Sequence, residues 1–271
     1  MFRSLLKSLL IIAIALLFAW HSPVFAESEM PSVTTVFEKL AALRQQAFES
    51  TNKGDFAAAE TFWTELINLM PDNPAVWSNR GNAKVSQNKL ESAIADFNKA
   101  IELEPTAPDP YLNRGTALEG LGKWEDAIAD YNKVLELDPN DPAAYNNRGN
   151  AEAGLGQWEI AAKDFLKAAD SAPDYAFARA NYALAQYQLG QTDEAIRTMR
   201  NLVRKYPRFA DMRAALTAAL WVQGKQGEAE SQWVSAVGLD KRYKDLNWVK
   251  TVRRWPPAIA SALEKFLSLK S

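Results

Sequence analysis

The sequence predicts an all-α fold, a solenoid of about six stacked helical hairpins, and three observations point to it. Aromatic and glycine residues recur along the chain with a period of 34 residues. Within each period, apolar residues are spaced as on two amphipathic helices separated by a short turn. Most periods end in a proline, which stops the second helix. A fixed period of this length is typical of solenoids, in which neighbouring units bury each other's apolar faces.

The repeat register places the same residue types at the same points of successive units. An aromatic residue is followed four residues later by glycine in three units: Trp77 and Gly81, Tyr111 and Gly115, Tyr145 and Gly149. The register predicts six units without an insertion: 40–73, 74–107, 108–141, 142–175, 176–209 and 210–243. The last unit has Lys241 where the others have their closing proline.

The third unit shows why each period predicts a hairpin. Tyr111 and Leu118 lie at helical spacing and predict a first helix, helix A, which Gly122 ends because glycine accepts a left-handed cap. Apolar residues at helical spacing from Ala127 onward predict a second helix, helix B. Pro139 stops it, since the residue before a proline disfavours helical geometry.

These residues resemble the tetratricopeptide repeat family over residues 40–243. The resemblance implies a right-handed superhelix in which helix A of each unit lines a concave groove and helix B lies outside. It also implies that the partner is a protein or peptide. Units one, five and six depart from the family pattern; in units five and six Arg179 and Arg213 replace the aromatic residue, and Thr217 replaces the glycine.

The repeat array also predicts an ion pair between helix A and helix B. Three units carry an arginine before the aligned glycine and an aspartate sixteen residues later: Arg80 and Asp96, Arg114 and Asp130, Arg148 and Asp164. The other units have neither residue. Joint presence and joint absence suggest contact, whereas duplication of one ancestral unit explains the pattern equally well. Under either interpretation this arginine is structural.

The N-terminus predicts export. Arg3 and Lys7 precede an uncharged apolar stretch, and residues 24–26 resemble a signal cleavage site after Pro23. We therefore expect a signal peptide at 1–26, followed by residues 27–39 as an extension of the first helix. The alternative is an uncleaved membrane anchor, because the apolar stretch is close to the length that spans a bilayer. Export would place the protein in a periplasm or a thylakoid lumen.

Composition excludes several classes of function. The formal net charge of -2 argues against a nucleic-acid partner, which requires an excess of Lys and Arg. The chain has no Cys, and its one His, His21, lies in the predicted signal peptide. We therefore expect no enzymatic activity, no cofactor and no metal site.

Asparagines on helix A are the candidate peptide-binding residues, since an amide both donates and accepts hydrogen bonds. They form two rows in successive units: Asn79, Asn113, Asn147 and Asn181, then Asn82 and Asn150, with Asn146 beside them. The alternative is that they bridge adjacent hairpins. The groove of units five and six is apolar and includes Tyr187 and Trp221; it is either a partner site or covered by the C-terminus.

Residues 244–271 are not a repeat and predict a C-terminal cap. This end of the chain is locally basic, through Lys241, Arg242, Lys244, Lys250, Arg253 and Arg254. These residues form either a solvated face or a contact with anionic lipid or an acidic partner. The run from Trp248 to Pro257 resembles the tails of some cyanobacterial and chloroplast repeat proteins, which would imply a thylakoid or periplasmic setting.

The sequence thus predicts a non-enzymatic interaction scaffold that holds a peptide segment in its groove, with a role in assembling or maintaining a membrane protein complex. Two alternatives stay open. One is a structural solenoid that self-associates through its ends. The other is a membrane-peripheral adaptor that acts through the basic, Trp-rich C-terminus.

Overall fold

A computed structural model describes residues 33–268 of the chain. This part contains fourteen α-helices, one short 3-10 helix and no strand, so the predicted all-α fold is confirmed. The helices are α1 (Val33–Asn52), α2 (Phe56–Leu69), α3 (Pro74–Ser86), α4 (Leu90–Leu103), α5 (Pro108–Gly120), α6 (Trp124–Leu137), α7 (Pro142–Gly154), α8 (Trp158–Ser171), α9 (Ala176–Gln188), α10 (Thr192–Lys205), α11 (Ala210–Val222), α12 (Gln226–Leu239), α13 (Leu246–Thr251) and α14 (Pro257–Ser268).

Helices α1 to α12 alternate as helix A and helix B of six hairpins, called repeats 1 to 6 below. From α2 onward each of these helices packs against the next one along the chain. Among the described residues, 33–41 belong to one compact unit and those from Ala42 to a second. In the first unit, the side chains of Val36 and Phe37 are exposed. The predicted signal peptide lies outside the described residues, and no helix within 33–268 is both long and apolar enough to span a bilayer.

The glycine of helix A lets an aromatic ring of helix B lie directly on its backbone. In repeat 3 a Cβ added to Gly115 would fall 2.6 Å from Cε1 of Tyr131, and Tyr131 is fully buried. Gly81 meets Phe97 and Gly149 meets Phe165 in the same way. The 34-residue period therefore reflects one packing unit that recurs along the chain.

The aromatic residue near the start of helix A ties repeats 2, 3 and 4 to the repeat before each of them. Trp77 Nε1 donates a hydrogen bond to the carbonyl oxygen of Pro71 at 2.7 Å, and the Tyr111 hydroxyl donates to that of Pro105 at 3.2 Å. In repeat 6 the Nε of Arg213 donates to the carbonyl oxygen of Pro207 at 2.8 Å. The arginine that departs from the sequence pattern therefore preserves the hydrogen bond.

The ion pairs predicted from the repeat register are all present. Arg114 donates from Nε and Nη2 to the two carboxylate oxygens of Asp130 at 2.8 and 2.5 Å. Its Nη1 donates to Asn98 of the preceding repeat at 2.6 Å, so one arginine joins three helices. Arg80 and Arg148 form equivalent pairs with Asp96 and Asp164. Bidentate pairs of this kind are stronger and more specific in geometry than single neutral hydrogen bonds.

The segment after repeat 6 folds back onto the helices A of the last repeats. A 3-10 helix at Lys241–Lys244 and α13 lead to α14, which packs on α11 and also contacts α9. Ile259, Leu263 and Phe266 on α14 are fully buried in the largest apolar cluster of the second unit. This segment therefore covers the groove side of repeats 5 and 6, which is the alternative in which the C-terminus covers the apolar groove.

Candidate functional site

The helices A of repeats 2 to 5 form the surface that carries the predicted asparagines, called the groove below. At repeats 4 and 5 the amides hydrogen-bond to one another. Asn181 Nδ2 donates to Asn146 Oδ1 at 3.0 Å and to Asn150 Oδ1 at 3.2 Å, and Asn146 donates to Asn147 Oδ1 at 3.2 Å. Asn146, Asn150 and Asn181 therefore bridge repeats 4 and 5, whereas the bond between Asn146 and Asn147 lies within one helix.

Several of the amide groups remain available for a ligand. Within the described residues, Asn147 and Asn150 accept these bonds, and their own Nδ2 groups donate to no protein atom. The side chains of Asn82 and Asn113 have no hydrogen-bond partner there, whereas Asn79 donates to the carbonyl oxygen of Ala75 in its own helix at 2.8 Å. Half-exposed amides of this kind can bind the peptide groups of an extended chain.

Residues 250–257 form a second wall opposite the groove. Together with the helices A of repeats 3 to 5 they enclose a cavity of about 840 Å³, lined by Asn146, Asn150 and Asn181 on one side and by Arg254 and Trp255 on the other. A cavity of this size accommodates a short segment of polypeptide or a small ligand.

A single buried carboxylate fixes this second wall. Asp211 on α11 is 4% exposed and accepts hydrogen bonds from three side chains of the C-terminal segment. Arg253 donates from Nε and Nη2 at 2.8 and 2.6 Å, Trp255 from Nε1 at 2.9 Å, and Tyr243 from its hydroxyl at 2.8 Å. Farther along, the backbone N–H of Ala258 donates to Gln188 of α9 at 2.8 Å.

Arg254 extends from this wall across the groove to repeat 3. Its guanidinium carbon lies 5.1 Å from the ring centroid of Trp124, within the range of a cation–π contact. Its Nη2 donates to the carbonyl oxygen of Glu119 at 3.4 Å, and Nη1 lies 4.0 Å from the Glu119 carboxylate. The C-terminal segment thus contacts repeat 3, in which Glu119 lies 135 residues before Arg254.

Two glutamates of helix A have raised pKa values. Burial raises the pKa of Glu119 to about 7, against the opposing effect of the Tyr131 hydroxyl, which donates to its Oε1 at 2.6 Å. Burial, followed by the negative charge of Asp164, raises the pKa of Glu152 to about 7. The Oε2 atom of Glu152 is buried without a hydrogen-bond partner in the described part of the chain.

The two aromatic residues predicted for the groove lie beneath the C-terminal segment. Tyr187 is 9% exposed and belongs to the same apolar cluster as α14. The ring of Trp221 meets that of Phe266 edge to face, with centroids 5.2 Å apart. Both residues therefore contact the chain's own tail in this structure, and the open amides lie in repeats 2 to 4.

The six basic residues of the C-terminus point in different directions. Lys241, Arg242 and Lys244 are exposed, although Arg242 pairs with Asp240 at 2.7 Å. Lys250 pairs with Glu264 at 3.1 Å. Arg253 and Arg254 turn inward, to Asp211 and to the groove. The hypothesis of a lipid or acidic-partner contact on the outer surface therefore rests on the first four residues.

Comparisons with known proteins agree with this architecture. Residues 81–122 and 120–156 match a model described as TPR repeat, and residues 181–208 match one described as Tetratricopeptide repeat. Comparison with curated protein sequences gave no match.

Solved structures are similar to this chain over a larger part of its length. A tetratricopeptide repeat protein from Parabacteroides merdae is 22% identical with a TM-score of 0.64, over 86% of this chain and 93% of that one. MamA from Desulfovibrio magneticus is 18% identical with a TM-score of 0.56, over 62% and 94%. YrrB, described as a TPR protein with an unusual peptide-binding site, is 19% identical with a TM-score of 0.53, over 75% and 97%.

The fold is that of tetratricopeptide repeats. At these identities the likeness shows the fold alone. Within a tetratricopeptide-repeat fold, helix A supplies the groove positions, which is where the amides and the two glutamates lie.

Sequence reasoning missed the residues that attach the tail to the repeats. Asp211 occupies a helix A position that other repeats fill with Ala75, Ala143 or Phe177, and nothing local distinguishes it from Asp109 at the same position. Trp124 is the first residue of α6, a helix B, and the repeat pattern gives it no role toward the C-terminus. The sequence feature that could have indicated this attachment is an aspartate in the last repeat, followed by two consecutive arginines in an aromatic-rich C-terminal segment.

Proposed function

We propose that this protein is a non-enzymatic scaffold that binds an extended segment of another protein in its groove. Proteins with this fold serve protein–protein interaction, so the expected partner is a protein or peptide. The observation that carries the specific proposal is the row of half-exposed amides on successive helices A. An extended peptide presents alternating N–H and C=O groups, and amides can pair with both.

The asparagines of the groove have different roles in peptide binding. Asn82 and Asn113 are free to bind the peptide backbone directly. Asn147 and Asn150 offer Nδ2 donors. The Asn150 oxygen accepts from Asn181 of the next repeat, and the Asn147 oxygen accepts from Asn146 in the same helix. Because these hydrogen bonds orient the amides beforehand, little conformational entropy is lost when a peptide binds.

Selection from a displayed library of random peptides tests this function. We expect the purified chain to enrich a defined set of sequences, and the double variant Asn113→Ala/Asn147→Ala to bind synthetic copies at least about tenfold more weakly, since each lost hydrogen bond costs about 1 kcal/mol. Asn140→Ala is the matched control, because Asn140 is exposed in the turn before α7. Failure to enrich any peptide would reject the proposal, as would equal binding by the double variant and the control.

We further propose that the protein acts in an exported compartment, a periplasm or thylakoid lumen, where it assists a membrane protein complex. The support is the signal-like sequence of residues 1–26. N-terminal sequencing of the mature protein tests this directly. A start at Glu27 supports cleavage, whereas a start at Met1 or Phe2 supports the membrane-anchor alternative.

A further inference from the structure

Arg254 has a backbone conformation that few residues with side chains adopt. Its φ is 55°, in the left-handed region, and Asn88 is the other non-glycine residue of the described chain with positive φ. Such a conformation is unfavourable for a residue with a Cβ atom, so the surroundings must enforce it. The two neighbours supply that constraint, because Arg253 and Trp255 both hydrogen-bond to Asp211. With both flanking side chains held on α11, the side chain of Arg254 projects to the groove.

The aromatic surface that receives Arg254 is itself fixed. Trp124 lies on the backbone of α7 at Gly154, where an added Cβ would fall 2.7 Å from Cδ2 of the ring. The guanidinium packs over this ring while its side chain stays 46% exposed. The cation is therefore held in place and is still accessible from the groove.

Among the cations of residues 33–268 that line the cavity, Arg254 is the one without a close carboxylate partner. Three cations line the cavity: Lys250, Arg253 and Arg254. Lys250 and Arg253 pair with Glu264 and Asp211 at 3.1 and 2.6 Å. The carboxylate nearest to Arg254 is that of Glu119, at 4.0 Å, and its other oxygen already accepts from the Tyr131 hydroxyl. Arg254 thus retains donors for a further anion.

We infer that Arg254 recognises an acidic side chain of the bound segment, so that the groove selects peptides with Asp or Glu at one position. This inference rests on the proposed peptide-binding function. An acidic residue within the segment fits better than a C-terminal carboxylate. Arg254 contacts Glu119 and Trp124 of repeat 3, and the amides belong to repeats 2 to 5. A peptide that follows the amides along the repeats therefore passes Arg254 partway along its length.

The test uses peptides selected from a random library and then synthesised with acetylated N-termini and amidated C-termini. Each peptide is paired with a copy in which the acidic residue is replaced by its amide, and affinities are measured by fluorescence anisotropy. We expect the purified wild-type chain to prefer the acidic copy about tenfold, as a charge-assisted hydrogen bond provides. Arg254→Lys should retain part of this preference, and Arg254→Glu should reverse it.

Arg254→Gly is the variant that separates recognition from structure. Glycine accepts a positive φ, so the tail keeps its backbone conformation, and we expect the preference to disappear with little change in melting temperature. If selected peptides depend on Asn113 and Asn147 but show no acidic preference, the inference is overturned and the peptide-binding function stands. If the selected peptides lose binding when their C-terminus is amidated, the inference is also overturned, because the groove then recognises a C-terminal carboxylate. If no peptide is selected, both proposals fail.

Discussion

Gly115 is the point at which helix A of repeat 3 touches the buried ring of Tyr131, and the contact leaves no space for a methyl group. We expect Gly115→Ala to lower the free energy of unfolding by about 1–3 kcal/mol, because Tyr131 must move from a close-packed position. Gly227→Ala is the control, since a Cβ at Gly227 has no heavy atom within 4 Å. Urea unfolding that shows equal stability for the two variants would contradict this account.

Glu119 and Glu152 make stability depend on pH. Each has a pKa of about 7 in the folded state against 4.5 ordinarily, so the folded state binds the proton more tightly. Their contribution is therefore fully present below pH 4.5 and is lost as pH rises through 7.

For each glutamate we expect a loss of about 2 kcal/mol between pH 5 and pH 8. The double variant Glu119→Gln/Glu152→Gln should lose much less stability over the same range. Glu60 and Glu228, whose pKa values are lowered by Lys89 and Arg200, are ionised throughout that range and do not offset the effect. Denaturant unfolding at several pH values measures the difference, and parallel pH curves for wild type and variant would refute it.

At the scale of the secondary-structure elements, the Arg–Asp pair joins the two helices of a hairpin. Asp130 is 5% exposed, so removing its partner leaves a buried charge. We expect Arg114→Leu to cost about 3 kcal/mol, and Arg114→Leu/Asp130→Leu to cost less than the single change.

Lys133 provides the comparison for that pair within the same repeat. It pairs with Glu136 on the exposed face of α6, where solvent screens the interaction. Lys133→Ala should change stability far less than Arg114→Leu does. Additive costs in the double-mutant cycle of Arg114 and Asp130 would show that the two residues do not interact.

At the scale of the second unit, the C-terminal segment and the last repeats bury apolar side chains against each other. Leu216 and Leu220 on α11 are fully buried in the cluster that α14 completes. Deletion of residues 257–271 should expose this apolar surface, lower the melting temperature and cause association that increases with concentration. Light scattering on the truncated and full-length chains measures this. A truncated chain that stays monomeric and equally stable would mean that α14 contributes little to the core.

The sequence by itself determined the repeating part of this protein. The helical hairpins, their 34-residue register and the Arg–Asp pairs were predictable because each depends on residues within one period. The departures were also local: Arg213 replaces an aromatic residue and still reaches the carbonyl oxygen of Pro207.

Only the tertiary structure decided where the C-terminal segment lies. Asp211 and Arg253 are 42 residues apart, and Glu119 and Arg254 are 135 apart. Because each of these contacts occurs only once, the 34-residue period gives no indication of them. The sequence also does not distinguish an aspartate that will be buried from one that will be exposed. The groove amides were predictable as a row, but which of them bond to each other depends on how adjacent repeats stack, and the second wall of the cavity depends on the folded-back tail.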